Sequence, residues 1–425
     1  MRGIFRVYHK VYKASGVYLE AYNTDGAIGD HVIVYNDRSA PVEGEIIGFN
    51  EDRCIIMPFS HISGVKAGDR VWIKKEHVST VCGTDLLGEV IDPFGRSLLS
   101  GVQLKGEKRP ILLEDINPLQ RERIKDVFDC GIRSINGLFI LGKGQKVGIF
   151  AGAGVGKSTL LGMIVRNSKA DAVVLALIGE RGREVKEFLE DVLGEEGRNK
   201  SIVVVTTSDQ TPILKVKGAI SALVHAKYLA EKGMNVLLVM DSITRLAMAQ
   251  REVGLSAGEP PTMKAYTPSV FYLLSKVVES CGNFGRGSIT GIFSVLVEGD
   301  DISLDPVADS LMAVLDGHII LSRKRANAGI FPAIDPIRSL SRLMPQIVSQ
   351  DHIKMAMYLR ELFSVYESME DMVNLGLYTP GSNPMVDKVI RHREEINRFF
   401  VQNVGEKVSF EESLRDLKSL YEKLL

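Results

Sequence analysis

The chain has 425 residues, 52 Lys plus Arg against 53 Asp plus Glu, and a formal net charge of −1. So even a balance argues against a protein built mainly to capture nucleic acid by charge, and the length calls for more than one core. Four scattered cysteines without a C-x-x-C pair fit reduced thiols better than a disulfide framework or a zinc site, and no run of about 18 apolar residues is present to span a membrane.

Residues 1–78 are rich in β-branched and aromatic residues, with turn signals such as Asn23-Thr24-Asp25-Gly26 and Lys66-Ala67-Gly68-Asp69. Short strands at that spacing predict a small N-terminal β-barrel or sandwich. Its acidic and basic residues are nearly balanced, which is poor footing for RNA. Residues 79–145 read as a mixed connector, punctuated by Pro93-Phe94-Gly95 and Asn117-Pro118.

From residue 146 the pattern becomes apolar strands alternating with long helices. Strands are predicted at 147–150, 172–178, 202–206, 236–240, 289–297 and 318–321, with a helix over 213–233 ended by Gly233. That alternation predicts an α/β, mainly parallel sheet with ligands beyond its C-terminal strand ends. The first strand runs into Ala151-Gly152-Ala153-Gly154-Val155-Gly156-Lys157-Ser158-Thr159 and then a helical pattern. Strand, Gly-rich loop, Lys-Ser and helix form the context of a phosphate-binding P-loop. Its backbone N–H groups can turn onto phosphate oxygens, Lys157 can reach the β- and γ-phosphates, and Ser158 can supply a hydroxyl to Mg²⁺. Position 151 is Ala where the strict motif has Gly.

Two acids close later strands. Asp241 ends Val236-Leu237-Leu238-Val239-Met240 and can hold a Mg²⁺ water shell or cap the following helix. Glu180 follows the strand 172–178 and can polarise a water beside a γ-phosphate or serve as a helix-start carboxylate. From residue 348 strand signals fade. Phe410, Leu414, Leu417, Tyr421 and Leu424 mark one face of a helix, so residues 348–425 are expected to form a C-terminal helical domain after an ATPase unit spanning 79–347.

Several longer motifs then sharpen the reading. They are Gly179-Glu180-Arg181, Asp241-Ser242-Ile243-Thr244-Arg245, Gly258-Glu259-Pro260-Pro261-Thr262, Val297-Glu298-Gly299-Asp300-Asp301, Asp316-Gly317-His318-Ile319 and Phe331-Pro332-Ala333-Ile334-Asp335. Together with Gly152–Ser158, in this order, they resemble the export ATPases of flagella and type III secretion systems, relatives of the catalytic subunits of rotary ATP synthases. The resemblance runs over nearly the whole chain. It implies a P-loop (RecA-like) ATPase fold and hydrolysis of ATP with Mg²⁺ to assist protein export, with cargo unfolded and released from chaperones.

By that resemblance Glu180 activates water, Ser158 and Asp241 serve the metal, and Arg181 and Arg245 line the γ-phosphate side. Arg342 matches an arginine finger that enters a neighbouring subunit's site, and Phe331 and Tyr378 match aromatic positions against adenine. The implied partners are other copies of the chain in a homohexameric ring, a central coiled-coil stalk met by the acidic loop Glu298-Gly299-Asp300-Asp301, a regulatory stator-like protein, export-gate membrane proteins and chaperone–cargo complexes. The implied location is cytoplasmic, peripheral at the inner-membrane export apparatus. The alternatives are a ring-shaped RNA translocase of the termination-factor type, a non-catalytic nucleotide-binding subunit, and a rotary synthase catalytic subunit. Glu180 with an intact Lys-Ser favours catalysis. The family pattern usually has Lys-Gly-Tyr-Pro-Pro where this chain has Lys264-Ala265-Tyr266-Thr267-Pro268, and Ala-Ile-Asp where it has Ser134-Ile135-Asn136. The N-terminus looks short beside relatives with a partner-binding extension.

Overall fold

The computed structural model describes residues 7–23, 25–297 and 302–425. The acidic loop expected to meet a stalk, residues 298–301, lies outside them.

Six strands, β1 (His9–Ala14), β2 (Leu19–Tyr22), β3 (His31–Tyr35), β4 (Val42–Asn50), β5 (Arg53–Pro58) and β6 (Arg70–Ile73), close into a barrel in the order β1-β2-β5-β4-β3-β6. Val11, Leu19, Val32, Ile46, Ile56 and Val71 fill its interior. Closure pairs every edge strand, so a unit this small needs no covering layer on its edges. The barrel is joined to the rest by a buried ion pair: Lys217 Nζ lies 2.5 Å from Glu45 Oε2, with side chains 7% and 10% exposed.

The central sheet uses β7 (Val90–Ile91), β8 (Lys146–Ala151), β9 (Ala172–Glu180), β10 (Ser201–Thr207), β11 (Asn235–Asp241), β12 (Ser288–Leu296), β13 (Gly317–Ile320) and β14 (Leu340–Ser341). Their order is β14-β13-β8-β12-β11-β9-β10-β7, parallel apart from β14. The strands are apolar almost throughout because both faces are covered. Helix α1 (Lys157–Asn167) follows β8, α2 (Gly182–Glu187) follows β9, α3 (Pro212–Glu231) follows β10, and α4 (Ile243–Ser256) follows β11. Helix α5 (Pro268–Glu279) precedes β12, and α6 (Pro306–Val314) and α7 (Arg323–Asn327) flank β13.

Helix α3 buries residues around nearly its whole circumference, from Ile213 to Ala230, because it packs between the sheet and α4. The other face of the sheet packs against α1 and the C-terminal helices α8 (Gln350–Asn374), α9 (Pro384–Arg391), α10 (Arg393–Phe400) and α11 (Phe410–Leu424). The apolar stripe expected on α11 faces that core, with Leu417, Leu420 and Leu424 buried, and a Ser409–Glu412 capping box starts the helix. The fold is therefore the expected barrel, P-loop α/β core and helical C-terminal part. From the connector, Val90–Ile91 joins the sheet as the short edge strand β7, after a 3₁₀ turn over Thr84–Leu86.

Candidate nucleotide site

Strand β8 delivers the P-loop. Ala151 is fully buried and paired in register with Leu296, so its methyl is a core group rather than an obstacle to phosphate. Gly154 and Gly156 have φ of +77° and +86°, a region L-residues avoid, and Gly156 caps α1. Nothing lies within 4 Å of where a Cβ on Gly154 would stand, so the loop is an open cradle at a helix N-terminus. Val155 is buried and anchors the loop, while Ser158 is exposed at the start of α1. Gly152, Ala153 and Thr159 complete the turn around them.

The sheet order sets the next contacts. Strand β12 lies between β8 and β11, and its Ser294 fills the gap between Lys157 and Asp241. Ser294 Oγ donates to Asp241 Oδ1 at 2.5 Å, and Lys157 Nζ donates to Ser294 Oγ at 3.3 Å and also pairs with Asp241 Oδ1 directly. Asp241 is 3% exposed. The following helix is capped by Ser242, whose hydroxyl accepts from Arg245 N–H at 3.3 Å. Asp241 is thus not spent as a helix cap and points at the loop. A serine hydroxyl and an aspartate carboxylate beside a backbone N–H cradle are hard oxygen donors, the chemistry that suits Mg²⁺ and phosphate.

Glu180 ends β9 one strand further along. Gly179, at φ +73°, turns the chain there, and a Cβ on it would stand 2.9 Å from Arg245 Cδ. Arg245 Nε lies 3.1 Å and Nη2 3.4 Å from the two Glu180 oxygens. Burial pushes the Glu180 carboxyl above its ordinary range, the neighbouring Asp241 charge adds to this, and Arg245 and Lys157 oppose it. Ser158, Glu180 and Asp241 line one cavity of about 340 Å³, closed behind by Phe188 and Val192 of a π-helical stretch, Phe188–Leu193.

The other expected site residues fall elsewhere. Arg181 points out, its side chain 77% exposed and 3.3 Å from Glu184. Phe331 is 44% exposed and its ring stands 3.4 Å from a Cβ position on Gly156, so it flanks the P-loop. Tyr378 is anchored in the C-terminal helical region, its hydroxyl donating to Asn383 O or Asp387 Oδ1, each at 3.0 Å. Arg342 lies at the far edge of the sheet. Its N–H donates to Asp316 O at 2.9 Å, and Asp316 N–H donates to Lys146 O at 2.9 Å. Lys146 starts β8 and Ala151 ends it, so roughly 16 Å of strand separates Arg342 from its own P-loop edge, at about 3.3 Å per residue.

Sequence reasoning missed Ser294, although a lone hydroxyl near the end of the apolar strand 289–297 was a readable signal. It also missed Arg323, whose Nη2 is 3.3 Å from a Cβ position on Gly152. Neither departure from the family pattern reaches the site. Asn136 is a buried partner of Asp129, at 2.7 Å. Ala265 holds φ +60°, so the chain keeps a left-handed turn without Gly, at a cost of roughly 1–2 kcal/mol.

Three family models match: the ATP synthase alpha/beta family beta-barrel domain over residues 11–72, the nucleotide-binding domain of the same family over 131–341, and the T3SS EscN ATPase C-terminal domain over 348–419. The chain is 61% identical to a flagellum-specific ATP synthase of Aquifex aeolicus, covering 99% of this chain and 95% of that protein. It is 43% identical to the Bacillus subtilis protein of the same description, covering 99% and 96%. Among solved structures, the assembled ATPase EscN of the enteropathogenic E. coli type III secretion system matches with a TM-score of 0.89 and 39% identity, covering 97% of this chain and 100% of that one. EscN in complex with its central stalk EscO matches with a TM-score of 0.88 and 38% identity, covering 97% and 100%.

Proposed function

The chain belongs to the export ATPases of flagella and type III secretion systems, and from that membership we propose that it hydrolyses ATP to assist flagellar protein export. The 61% identity to a flagellum-specific relative, against 39% to EscN, supports the flagellar system. The observation that carries hydrolysis, rather than nucleotide binding alone, is Glu180: a carboxylate clasped by Arg245 on the wall of the cavity that also holds Ser158 and Asp241.

Each residue then has a task. The P-loop N–H groups and Lys157 hold the β- and γ-phosphates. Ser158 and Asp241 would hold Mg²⁺, which would supply positive charge to offset that of the phosphates. Ser294 fixes the Asp241 carboxylate, and Lys157 can pass from its acid partner to a phosphate oxygen without leaving the cradle. Glu180 accepts a hydrogen bond from the attacking water, with Arg245 setting the carboxylate's plane and opposing the rise in its pKa caused by burial. Phe331 flanks adenine together with Tyr378, and Arg181 joins the γ-phosphate side once an adjoining subunit or nucleotide draws it inward.

Arg342 is read as acting on the neighbouring subunit, a reading supported by the roughly 16 Å of strand between it and its own P-loop edge. Self-assembly and engagement of a central stalk are supported by the EscN structures, one of the assembled ATPase and one in complex with its central stalk EscO; a homohexameric ring is the form proposed for this chain. The remaining partners are a stator-like regulator, the export gate and chaperone–cargo complexes. Among the described residues no helix is long and apolar enough to cross a membrane, which suits a cytoplasmic protein docked peripherally at the inner membrane. The three units are taken as 1–78, 79–347 and 348–425. An RNA translocase is disfavoured by the balanced charge of the barrel.

The deciding experiment replaces the chromosomal gene with Lys157→Ala and measures secreted rod and hook subunits. Loss of their export with normal synthesis supports the reading. Unchanged export, or loss confined to injected effectors, overturns the flagellar assignment.

A further inference from the structure

Beyond β13 the chain makes an excursion that carries α7 and Phe331 before it returns to the sheet. The ends of the excursion are tied together: Ser322 N–H donates to Ala333 O and Asp335 N–H to Ile320 O, each at 2.8 Å. Phe331, on the return limb, stands with its ring 3.4 Å from a Cβ position on Gly156 of the P-loop. Its carbonyl is held from outside the excursion. Gln402 N–H donates to Phe331 O at 2.9 Å, and Gln402 lies in the loop between α10 and α11.

Gln402 is 3% exposed, and a buried amide has to place its donors and acceptors. Its Oε1 accepts from Arg133 N–H at 2.8 Å, and its Nε2 donates to Gly131 O at 2.9 Å and to Glu406 O at 3.0 Å. Both N–H donors are used, on the ATPase core and on the loop itself, so the amide cannot turn without losing them. The loop is tied again at Val404 and Glu406. Their carbonyls accept from Arg166 Nη2 at 2.8 Å and from Asn167 Nδ2 at 3.0 Å. Arg166 and Asn167 are the last residues of α1, the helix whose N-terminus forms the phosphate cradle. One loop therefore holds the back of the phosphate-binding helix and the backbone of the aromatic residue beside that cradle.

We infer that Gln402 is a positioning residue for the nucleotide: it fixes Phe331 relative to α1, and so sets where a base stacks once the phosphates are seated. The inference rests on the reading of Phe331 as part of the adenine wall. A main-chain N–H is a fixed point only if its own residue cannot rotate, and the three side-chain hydrogen bonds of Gln402 prevent that. Support of this kind is what holds a binding group within about 0.5 Å of its working place.

The test compares two ligands on the full chain in the presence of Mg²⁺. ADP offers phosphates and a base; inorganic pyrophosphate offers phosphates alone. The ratio of their affinities reads the base wall and cancels damage to the P-loop. Phe331→Ala should lower that ratio by roughly tenfold, the scale of one base stacked on an aromatic ring. Gln402→Met keeps the length of the side chain and deletes its three hydrogen bonds. It should lower the ratio about threefold or more, and should lower it no further when Phe331 is already Ala. A merely structural role would weaken both ligands together and leave the ratio where it was. If Gln402→Met does not fold, Arg166→Met, which frees the loop at Val404, decides the matter by lowering the ratio in the same sense. A ratio unchanged by Phe331→Ala overturns the adenine-wall reading and the inference with it. A ratio lowered by Phe331→Ala but not by the loop variant, or lowered further in the double variant, overturns the inference alone.

Discussion

Arg245 holds the Glu180 carboxylate side-on, Nε to Oε1 at 3.1 Å and Nη2 to Oε2 at 3.4 Å. The two residues are 65 apart in sequence, and the glycine before Glu180 is what lets them approach, because a side chain at 179 would strike the Arg245 stem. A carboxylate whose burial favours the neutral form is thereby kept beside a cation that favours the charged one.

Binding and chemistry should separate at this site. Glu180→Gln keeps the shape and removes the proposed base, so turnover should fall by roughly 10² or more with nucleotide affinity nearly intact. Lys157→Ala should weaken both. Nucleotide titration and steady-state phosphate release on the two variants check this, and near-normal turnover in Glu180→Gln would remove its assigned role.

The acid limb of the rate profile should depend on Arg245. The guanidinium lowers the Glu180 pKa against burial and the Asp241 charge. Arg245→Gln removes that opposition, so the pKa rises, more of the base is protonated at a given acidic pH, and the limb moves to higher pH. Measuring kcat against pH for both proteins tests the sign. A limb that stays fixed, or moves to lower pH, contradicts the pairing as the control on Glu180.

Ser294→Ala deletes the hydroxyl between Lys157 and Asp241. The Asp241 carboxylate then loses a 2.5 Å donor and its orientation toward the cradle. The dependence of activity on Mg²⁺ concentration should shift upward by about tenfold, within the range for residues that orient a metal's ligands. Ser294→Thr should recover part of it. An unchanged Mg²⁺ dependence would leave Ser294 with packing alone.

Arg342→Ala should bind ATP and hydrolyse it poorly, since a trans arginine can contribute about 10³–10⁵ in rate. Activity of the unaltered protein should rise steeply with protein concentration. Mixing Arg342→Ala with Lys157→Ala should restore activity at interfaces that combine an intact P-loop with an intact Arg342. Absence of recovery where subunits demonstrably exchange would show that the site is not shared.

The barrel should depend on one buried pair. Lys217→Met strands the Glu45 carboxylate, and breaking such a pair costs about 3–5 kcal/mol. Burial already raises the Glu45 pKa, and without Lys217 it rises further. Glu45 can then neutralise as pH falls, so the stability deficit should shrink on acidification. Lys217→Met with Glu45→Gln should recover much of it. Urea unfolding across pH reads all three, and a deficit that grows toward low pH would mean that Glu45 is not the stranded group.

The parallel core was legible because its strands are apolar without alternation and its helices are long, a pattern that buried α/β sheets impose. The P-loop was legible because its glycines, lysine and serine are contiguous, so local spacing alone carries the chemistry. The stripe on α11 was legible for the same reason: the helical period repeats within one element. Ser294 depended on the fold. Ser294 acquires a role only because strand order inserts β12 between β8 and β11. The separation of Arg342 from its own P-loop likewise comes from the direction of β14, which runs antiparallel to β13 and returns the chain to the N-terminal ends of the parallel strands. Spacing along a chain reports contacts within a turn or a strand; contacts between distant segments are set by which strands pair and which faces are covered, and those are properties of the packed whole.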